Sequence, residues 1–166
     1  MKKFYKTFFN EINNLLSQTD INSLDKIAKA LISFKKKKSK VIIFGNGGSA
    51  AISSHVSVDL TKNAKVRCIN FNEADLLTCF SNDYGYENWI QKALEFHSNP
   101  GDVVILISSS GSSKNIINSN NLFQLTKSSF WYSILLTNPS YPSLIVPDWS
   151  ITCPSSYPGI FLRSSI

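Results

Sequence analysis

Two apolar runs in this chain each lead directly into a loop of glycine and serine, and this repeated pattern restricts the fold most. Residues 41–44 precede Gly-Asn-Gly-Gly-Ser (45–49), and residues 103–107 precede Ser-Ser-Ser-Gly-Ser-Ser (108–113). A helical pattern follows each loop. A buried strand that turns through such a loop into a helix presents backbone N–H groups and the positive helix end to an anion. The two loops together predict a site for one phosphorylated small molecule.

The composition is that of one folded domain without a membrane span. The chain has 166 residues, 43% of them hydrophobic, which is enough for a sizeable core. No apolar run approaches the roughly 20 residues of a transmembrane helix, and polar residues from Asn10 onward interrupt any signal peptide. These features predict a cytoplasmic protein. Its three cysteines show no zinc-binding spacing and are predicted to be buried free thiols.

The net charge of +6 comes largely from the lysine run at positions 35–38 and Lys40. The run ends a predicted helix, where cations stabilise the helix dipole. No aromatic residues alternate with the lysines, so the sequence does not predict a nucleic-acid site.

Apolar runs alternate with helical patterns along the chain, which predicts an α/β fold. We expect a three-layer, doubly wound parallel sheet of about five strands, flavodoxin-like, after an N-terminal helical hairpin that Asp20 helps to cap. Residues 1–38 form the helical arm, 39–154 the α/β domain and 155–166 a divergent tail. The predicted strands are 41–44, 66–70, 103–107, 131–136 and 149–153. The predicted helices are 3–17, one from Asp20, 49–62, 88–97 and 112–125, with a short helix or turn at 72–80.

His55 and Asp59 lie four residues apart on the helix that opens after the first loop. That spacing places both side chains on one helix face, where they could hold a metal or share a proton transfer. An ordinary contact on the helix surface is the alternative interpretation. The adjacent phosphate loop favours the functional one.

These motifs, together with Asn-Asp-Tyr-Gly at 82–85, resemble those of SIS (sugar isomerase) domains, and among them the phosphoheptose isomerases. The resemblance covers roughly residues 1–153. It implies a ketose–aldose isomerase that acts on sedoheptulose 7-phosphate, forms a homotetramer and uses zinc. It also implies roles for individual residues, with His55 as a metal ligand or general acid and Asp59 as metal ligand and base. The implied substrate-binding residues are Asn46, Gly47, Gly48, Ser49, Asn82, Asp83, Ser108, Ser109, Ser110 and Ser113.

Two departures from the family pattern concern the metal site. Asp59 stands where the family has the longer glutamate. The family also carries a Gln and a His on a helix after the last strand, and neither residue type follows Cys153 here. Residues 155–166 therefore read as the tail of a truncated or frame-shifted product. Two ligands are fewer than the three that zinc normally takes from a protein, so the predicted metal site is incomplete.

The sequence leaves two alternatives to an isomerase. One is a non-catalytic SIS protein that senses sugar phosphate or acts as a scaffold, like those that associate with the replication initiator. The other is a Rossmann-type nucleotide binder, although the first loop is not G-x-G-x-x-G and Asn70 stands where an acidic residue is expected. Phe4, Phe8 and Phe9 exceed what a short arm can bury, which predicts a homo-oligomer.

Overall fold

The computed structural model describes residues 1–17, 19–35, 39–125, 132–137, 150–151 and 159–164. Twelve elements lie in these ranges. The helices are α1 (Lys2–Ser17), α2 (Ile21–Lys35), α3 (Gly48–Lys62), α4 (Ala74–Tyr84), α5 (Trp89–His97) and α6 (Lys114–Leu125). The strands are β1 (Val41–Gly45), β2 (Cys68–Ile69), β3 (Val103–Ile107), β4 (Tyr132–Thr137), β5 (Ser150–Ile151) and β6 (Gly159–Ser164).

The strands form one mixed sheet in the order β2-β1-β3-β4-β6-β5. The first four are parallel, as the alternating pattern predicted. The predicted strand at 149–153 is shorter, and it pairs with β6 instead of extending the parallel set. Strand β6 comes from the predicted tail and runs antiparallel to β4. Antiparallel edge strands often accompany parallel sheets, and the apolar run 160–162 suits a strand.

Both faces of β1 and β3 are covered, which explains why these strands are continuous apolar runs instead of alternating ones. Ile42, Phe44, Val104 and Leu106 face the first core, which α4, α5 and α6 cover. The alternate residues of the same strands face the second core, which α2 and α3 cover. Because side chains alternate across a strand, two layers of helices enclose the sheet. The predicted three-layer architecture is confirmed.

The two N-terminal helices differ in how they pack. Asp20 caps α2 as predicted, with its Oδ1 accepting from the Asn22 N–H at 3.0 Å. Ile27, Ala30 and Leu31 of α2 pack against the sheet. By contrast, Ile12 is the only side chain of α1 that is even half-buried among those the structure describes. Helix α1 therefore presents its apolar stripe to solvent.

The prediction of buried thiols holds for one of the two cysteines in the described ranges. Cys68 is buried in β2, and burial raises its pKa to about 12. Cys79 is exposed, so the prediction is wrong there, because this position of α4 faces away from the sheet. Cys153 lies outside the described residues, as do Lys36, Lys37 and Lys38.

Candidate functional site

The two predicted loops lie side by side at one edge of the sheet. Strands β1 and β3 are parallel neighbours, and Gly45 at the end of β1 pairs with Ile107 at the end of β3. From these ends the chain crosses to β2 on one side and to β4 on the other. The crevice between two such strands is where open α/β sheets bind their ligands. The structure thus brings both loops to one candidate site.

The glycine loop (residues 45–49) turns sharply into α3. A Cβ on Gly45 would lie 2.5 Å from the carbonyl carbon and oxygen of Ser49, so only glycine fits there. Gly47 has φ of +53°, which favours glycine as well, and precedes the first residue of α3. Within the described residues, the N–H groups of Gly47 and Gly48 have no hydrogen-bond acceptor. Exposed donors at a helix N-terminus suit an anion.

The serine loop (residues 108–113) holds its shape partly through its own hydroxyls. Ser108 is buried, and its Oγ accepts from the Gly111 N–H at 3.1 Å. Ser110 Oγ accepts from the Ser112 N–H at 3.2 Å. Both hydroxyls can still donate to a ligand, because each oxygen here acts as the acceptor. Two further predicted residues occupy the same loop, with Ser109 exposed and Ser113 half-buried.

The first turn of α6 adds backbone donors to the serine loop. The Ser113 carbonyl accepts from the N–H groups of Ile116 and Ile117, which starts the helix. In the part of the chain described, no acceptor meets the N–H groups of Lys114 and Asn115. A second helix N-terminus therefore points at the edge where α3 begins.

Asn46 connects the glycine loop to the first turn of α6, directly after the serine loop, through a pair of amide hydrogen bonds that sequence reasoning missed. Its Nδ2 donates to Asn115 Oδ1, and Asn115 Nδ2 donates to its Oδ1, both at 2.9 Å. The Tyr86 hydroxyl donates to the same Asn46 oxygen at 3.1 Å. Asn115 is 2% exposed. In the sequence, the one signal for this pair was a polar residue directly before the apolar Ile116, in the first turn of a predicted helix.

Asn82 and Asp83 occupy the last turn of α4, and both are exposed. Asn82 Nδ2 donates to Asp83 Oδ1 at 3.0 Å. Among the described residues, no hydrogen bond joins this pair to either loop. The chain continues from it through Gly85 to Tyr86, which does contact Asn46. The structure thus places the predicted pair close in sequence to Tyr86, and among the described residues no hydrogen bond links the pair itself to the site.

His55 and Asp59 face each other on α3, as their spacing predicted. His55 Nε2 lies 3.4 Å from Asp59 Oδ2, and the side chains are 80% and 51% exposed. Asn63 Nδ2 donates to Asp59 Oδ1 at 3.1 Å. His55 lies seven residues beyond Gly48, which is about 10 Å along the helix axis. The described residues hold no group of three or more His, Cys, Asp or Glu that could bind a metal.

The end of β2 supports α3 with amide side chains instead of carrying an acidic residue. Asn70 Nδ2 donates to Ser57 Oγ, and Asn72 Nδ2 donates to the Ala50 carbonyl and to Ser54 Oγ. These contacts hold α3 against the chain that leaves the sheet. Asn70 occupies the position at which a dinucleotide binder has its acidic residue. In this chain the side chain at that position supports α3 through its hydrogen bond to Ser57.

The family model described as "SIS domain" matches residues 5–121. The chain belongs to the SIS domain family. Curated relatives of this SIS domain include the phosphoheptose isomerase of Sulfurimonas denitrificans, 33% identical over 129 residues that make up 71% of the chain and 66% of the relative. The probable phosphoheptose isomerase of Thermoplasma volcanium is 35% identical over 112 residues, 63% of the chain and 57% of the relative. The chain thus spans about half to two thirds of the relatives that it matches.

Solved structures confirm the fold of this SIS domain. Phosphoheptose isomerase GmhA from Neisseria gonorrhoeae superposes with a TM-score of 0.74, at 23% identity, over 82% of this chain and 74% of the other. A phosphoheptose isomerase from Francisella tularensis gives a TM-score of 0.70, also at 23% identity, with the same coverage of both chains. The fold is therefore that of the SIS domain, as the sequence resemblance implied.

Proposed function

We propose that this SIS domain binds a phosphorylated sugar between the glycine loop and the serine loop and interconverts its ketose and aldose forms. The substrate class is that of sedoheptulose 7-phosphate and D-glycero-D-manno-heptose 7-phosphate. The observation that carries the proposal is the pairing of Gly45 with Ile107, which sets two anion-binding loops side by side. The relatives named phosphoheptose isomerase support the choice of reaction.

The phosphate is bound by the donors of the two loops. Hydrogen bonds to a charged group contribute about 1.5–3 kcal/mol each, so three or four give micromolar to millimolar affinity. The two helix N-termini add positive potential. This binding energy is remote from the reacting carbons, and it serves to hold them near the base.

Asp59 is the proposed base. It takes a proton from C1 of the ketose and returns it to C2, while a second proton moves from O1 to O2 through an enediol. His55, 3.4 Å from the Asp59 carboxylate, is placed to assist the transfer between the oxygens. Along the helix axis, His55 lies about 10 Å and Asp59 about 16 Å from the first residue of α3, distances that favour a long sugar phosphate over a small one.

Zinc remains a prediction from the resemblance. His55 and Asp59 would be two of its ligands, and a hard carboxylate with an imidazole suits zinc. The described residues supply no third ligand near them. They do not complete a zinc site by themselves, and no step of the proposed mechanism passes through a metal.

Self-association belongs to the same proposal, as a homo-oligomer of the tetrameric type. Phe4, Phe8 and Phe9 of α1 are 63%, 41% and 59% exposed, and Ile32 of α2 is 61% exposed. Exposed large apolar side chains of this kind mark an interface. The proposed compartment is the cytoplasm, with sugar phosphate as the ligand and no nucleic-acid partner. In the ranges that the structure describes, no helix is long and apolar enough to cross a membrane.

The deciding experiment incubates the protein with sedoheptulose 7-phosphate in D₂O, with and without added zinc, and follows the products by proton NMR. The isomerase proposal expects the aldose 7-phosphate and deuterium incorporation at C2 of the product or C1 of the returned ketose. Binding without product at high protein concentration would contradict turnover and favour a non-catalytic sensor or scaffold. Absence of both binding and product would contradict the proposed function as a whole.

A further inference from the structure

Asn115 is a buried side chain whose amide hydrogen-bonds to Asn46 of the glycine loop and whose Oδ1 also accepts from the Ile116 N–H. It lies in the first turn of α6, is 2% exposed and forms two 2.9 Å hydrogen bonds with Asn46. The two residues are 69 positions apart, with Asn46 in the glycine loop and Asn115 in the helix that follows the serine loop. A reciprocal amide pair fixes both the distance and the relative orientation of its partners, because each amide donates once and accepts once.

This pairing nearly saturates the Asn46 amide. Its oxygen accepts from Asn115 Nδ2 and from the Tyr86 hydroxyl, which accounts for both lone pairs. Its nitrogen donates one hydrogen to Asn115 Oδ1. A single N–H thus remains for a ligand, and its direction is set by Asn115.

We propose that Asn115 is a positioning residue that sets the separation of the glycine loop and the serine loop, so that both loops reach one sugar phosphate. Asn115 acts through Asn46, and Tyr86 holds the same oxygen from the α4–α5 turn. The backbone N–H of Asn115 stays in the first turn of α6, so the side chain can be changed without removing that donor. The inference rests on the proposed function for its ligand and on the amide pair for its geometry.

Binding measurements on four variants test the proposal. Asn115→Ala should weaken sedoheptulose 7-phosphate binding about tenfold, the scale of one hydrogen bond. Inorganic phosphate binding should change less than about twofold, since a free phosphate can bind at one loop and its helix N-terminus without spanning both loops as the sugar phosphate does. Tyr86→Phe should have a smaller effect, and the double variant should bind like Asn115→Ala, because both changes act through the Asn46 oxygen.

Asn118→Ala is the matched control. Asn118 lies on the same helix, and its Nδ2 donates to the Glu87 carbonyl and to Asn88 Oδ1, away from both loops. This variant removes two hydrogen bonds of a helix asparagine and should leave both affinities unchanged. Equal losses for phosphate and sugar phosphate in Asn115→Ala, or additive effects with Tyr86→Phe, would overturn the positioning role.

A spectroscopic measurement decides the geometry independently of any sugar. The side-chain NH₂ signal of Asn46, assigned by its loss in Asn46→Asp, should be protected from solvent exchange in the unliganded protein. Exchange should increase at least about tenfold in Asn115→Ala and not in Asn118→Ala. An Asn46 signal unaffected by Asn115→Ala refutes the inference. A wild-type protein that retains this protection but binds no sugar phosphate refutes the proposed function instead.

Discussion

Gly45, the last residue of β1, lies directly against Ser49 in the first turn of α3. A Cβ at position 45 would lie 2.5 Å from the Ser49 carbonyl group and 2.8 Å from its Cβ. The same glycine pairs with Ile107 across the two central strands. This close approach therefore determines where α3 begins. Through the pairing with Ile107, it also determines where the start of α3 lies relative to the serine loop.

Gly45→Ala should consequently destabilise the protein by about 1–3 kcal/mol, because backbone atoms must move to admit the methyl group. It should also weaken phosphate binding. Gly48→Ala is the control for stability, since a Cβ there meets nothing within 4 Å and Gly48 begins a helix. Urea denaturation with an equal free energy of unfolding for both variants would contradict this account.

The charged pair at the opposite edge of the sheet gives a second prediction. Asp102 precedes β3 and accepts from the Lys40 backbone N–H, the Lys40 ammonium group and the Asn99 N–H. Its side chain is 3% exposed and that of Lys40 is 13% exposed. Asp102→Ala leaves a buried ammonium group unpaired and should cost about 3–5 kcal/mol in urea denaturation.

Two comparisons make that result specific. The double variant Lys40→Met/Asp102→Leu should recover part of the lost stability, because no buried charge remains while the Lys40 and Asn99 N–H groups still lack their acceptor. Asp25→Ala breaks an exposed pair with Lys29 and should cost less than about 1 kcal/mol. A double variant as unstable as Asp102→Ala would show that the charges are not the cause.

The sequence predicts those elements that can be recognised from their own residues, and it does not predict those that depend on distant parts of the chain. Strands β1 and β3 were predictable because an apolar run buried on both faces needs no knowledge of its neighbours. The Asn46–Asn115 pair was not, because it depends on the register of β1 and β3, which are neighbours in the sheet although three helices and β2 lie between them in the sequence. Strand β6 was missed for the same reason: a short apolar run such as 160–162 becomes a strand only when an open sheet edge is available.

The exposed thiol of Cys79 lies next to Asp83, a predicted substrate-binding residue. Chemical labelling can test whether the carboxylate acts on the thiol. The Asp83 carboxylate raises the pKa of Cys79, mainly through its charge. Less thiolate is then present at pH 8, and labelling by iodoacetamide slows. Asp83→Asn should accelerate labelling of Cys79 roughly two- to fivefold at pH 8, and the difference should vanish well above pH 10, where the thiol is ionised in both proteins.

The labelling is measured by mass spectrometry in a Cys153→Ser background. Cys68 should stay unmodified in the folded protein, since it is buried and burial raises its pKa to about 12. Asp75→Asn, on the same helix, is the control and should leave the rate unchanged. Equal rates for Asp83→Asn and the parent protein would show that the carboxylate does not act on the thiol.

The exposed aromatic face of α1 predicts how the oligomer can be disrupted. Phe4 and Phe8 stack with ring centroids 6.2 Å apart while remaining largely exposed. Phe4→Ser/Phe8→Ser should convert an oligomer into monomers in sedimentation velocity at micromolar concentration, without loss of the far-UV spectrum of the α/β core. Lys3→Ser/Lys6→Ser, on the same helix, should remain associated. A wild-type protein that sediments as a monomer would refute self-association.

The last prediction concerns the base. Asp59→Asn should reduce turnover by about 10²–10⁴, the usual contribution of a general base, with little effect on the free energy of unfolding, because the side chain is 51% exposed. Asp25→Asn is its match: an exposed aspartate, 54% accessible, with a cationic partner four residues on. Asp59→Glu tests the shorter side chain directly. Because glutamate stands here in the family pattern, this variant should be as active as the wild type or more so. Turnover that survives Asp59→Asn would assign the proton transfer to another group.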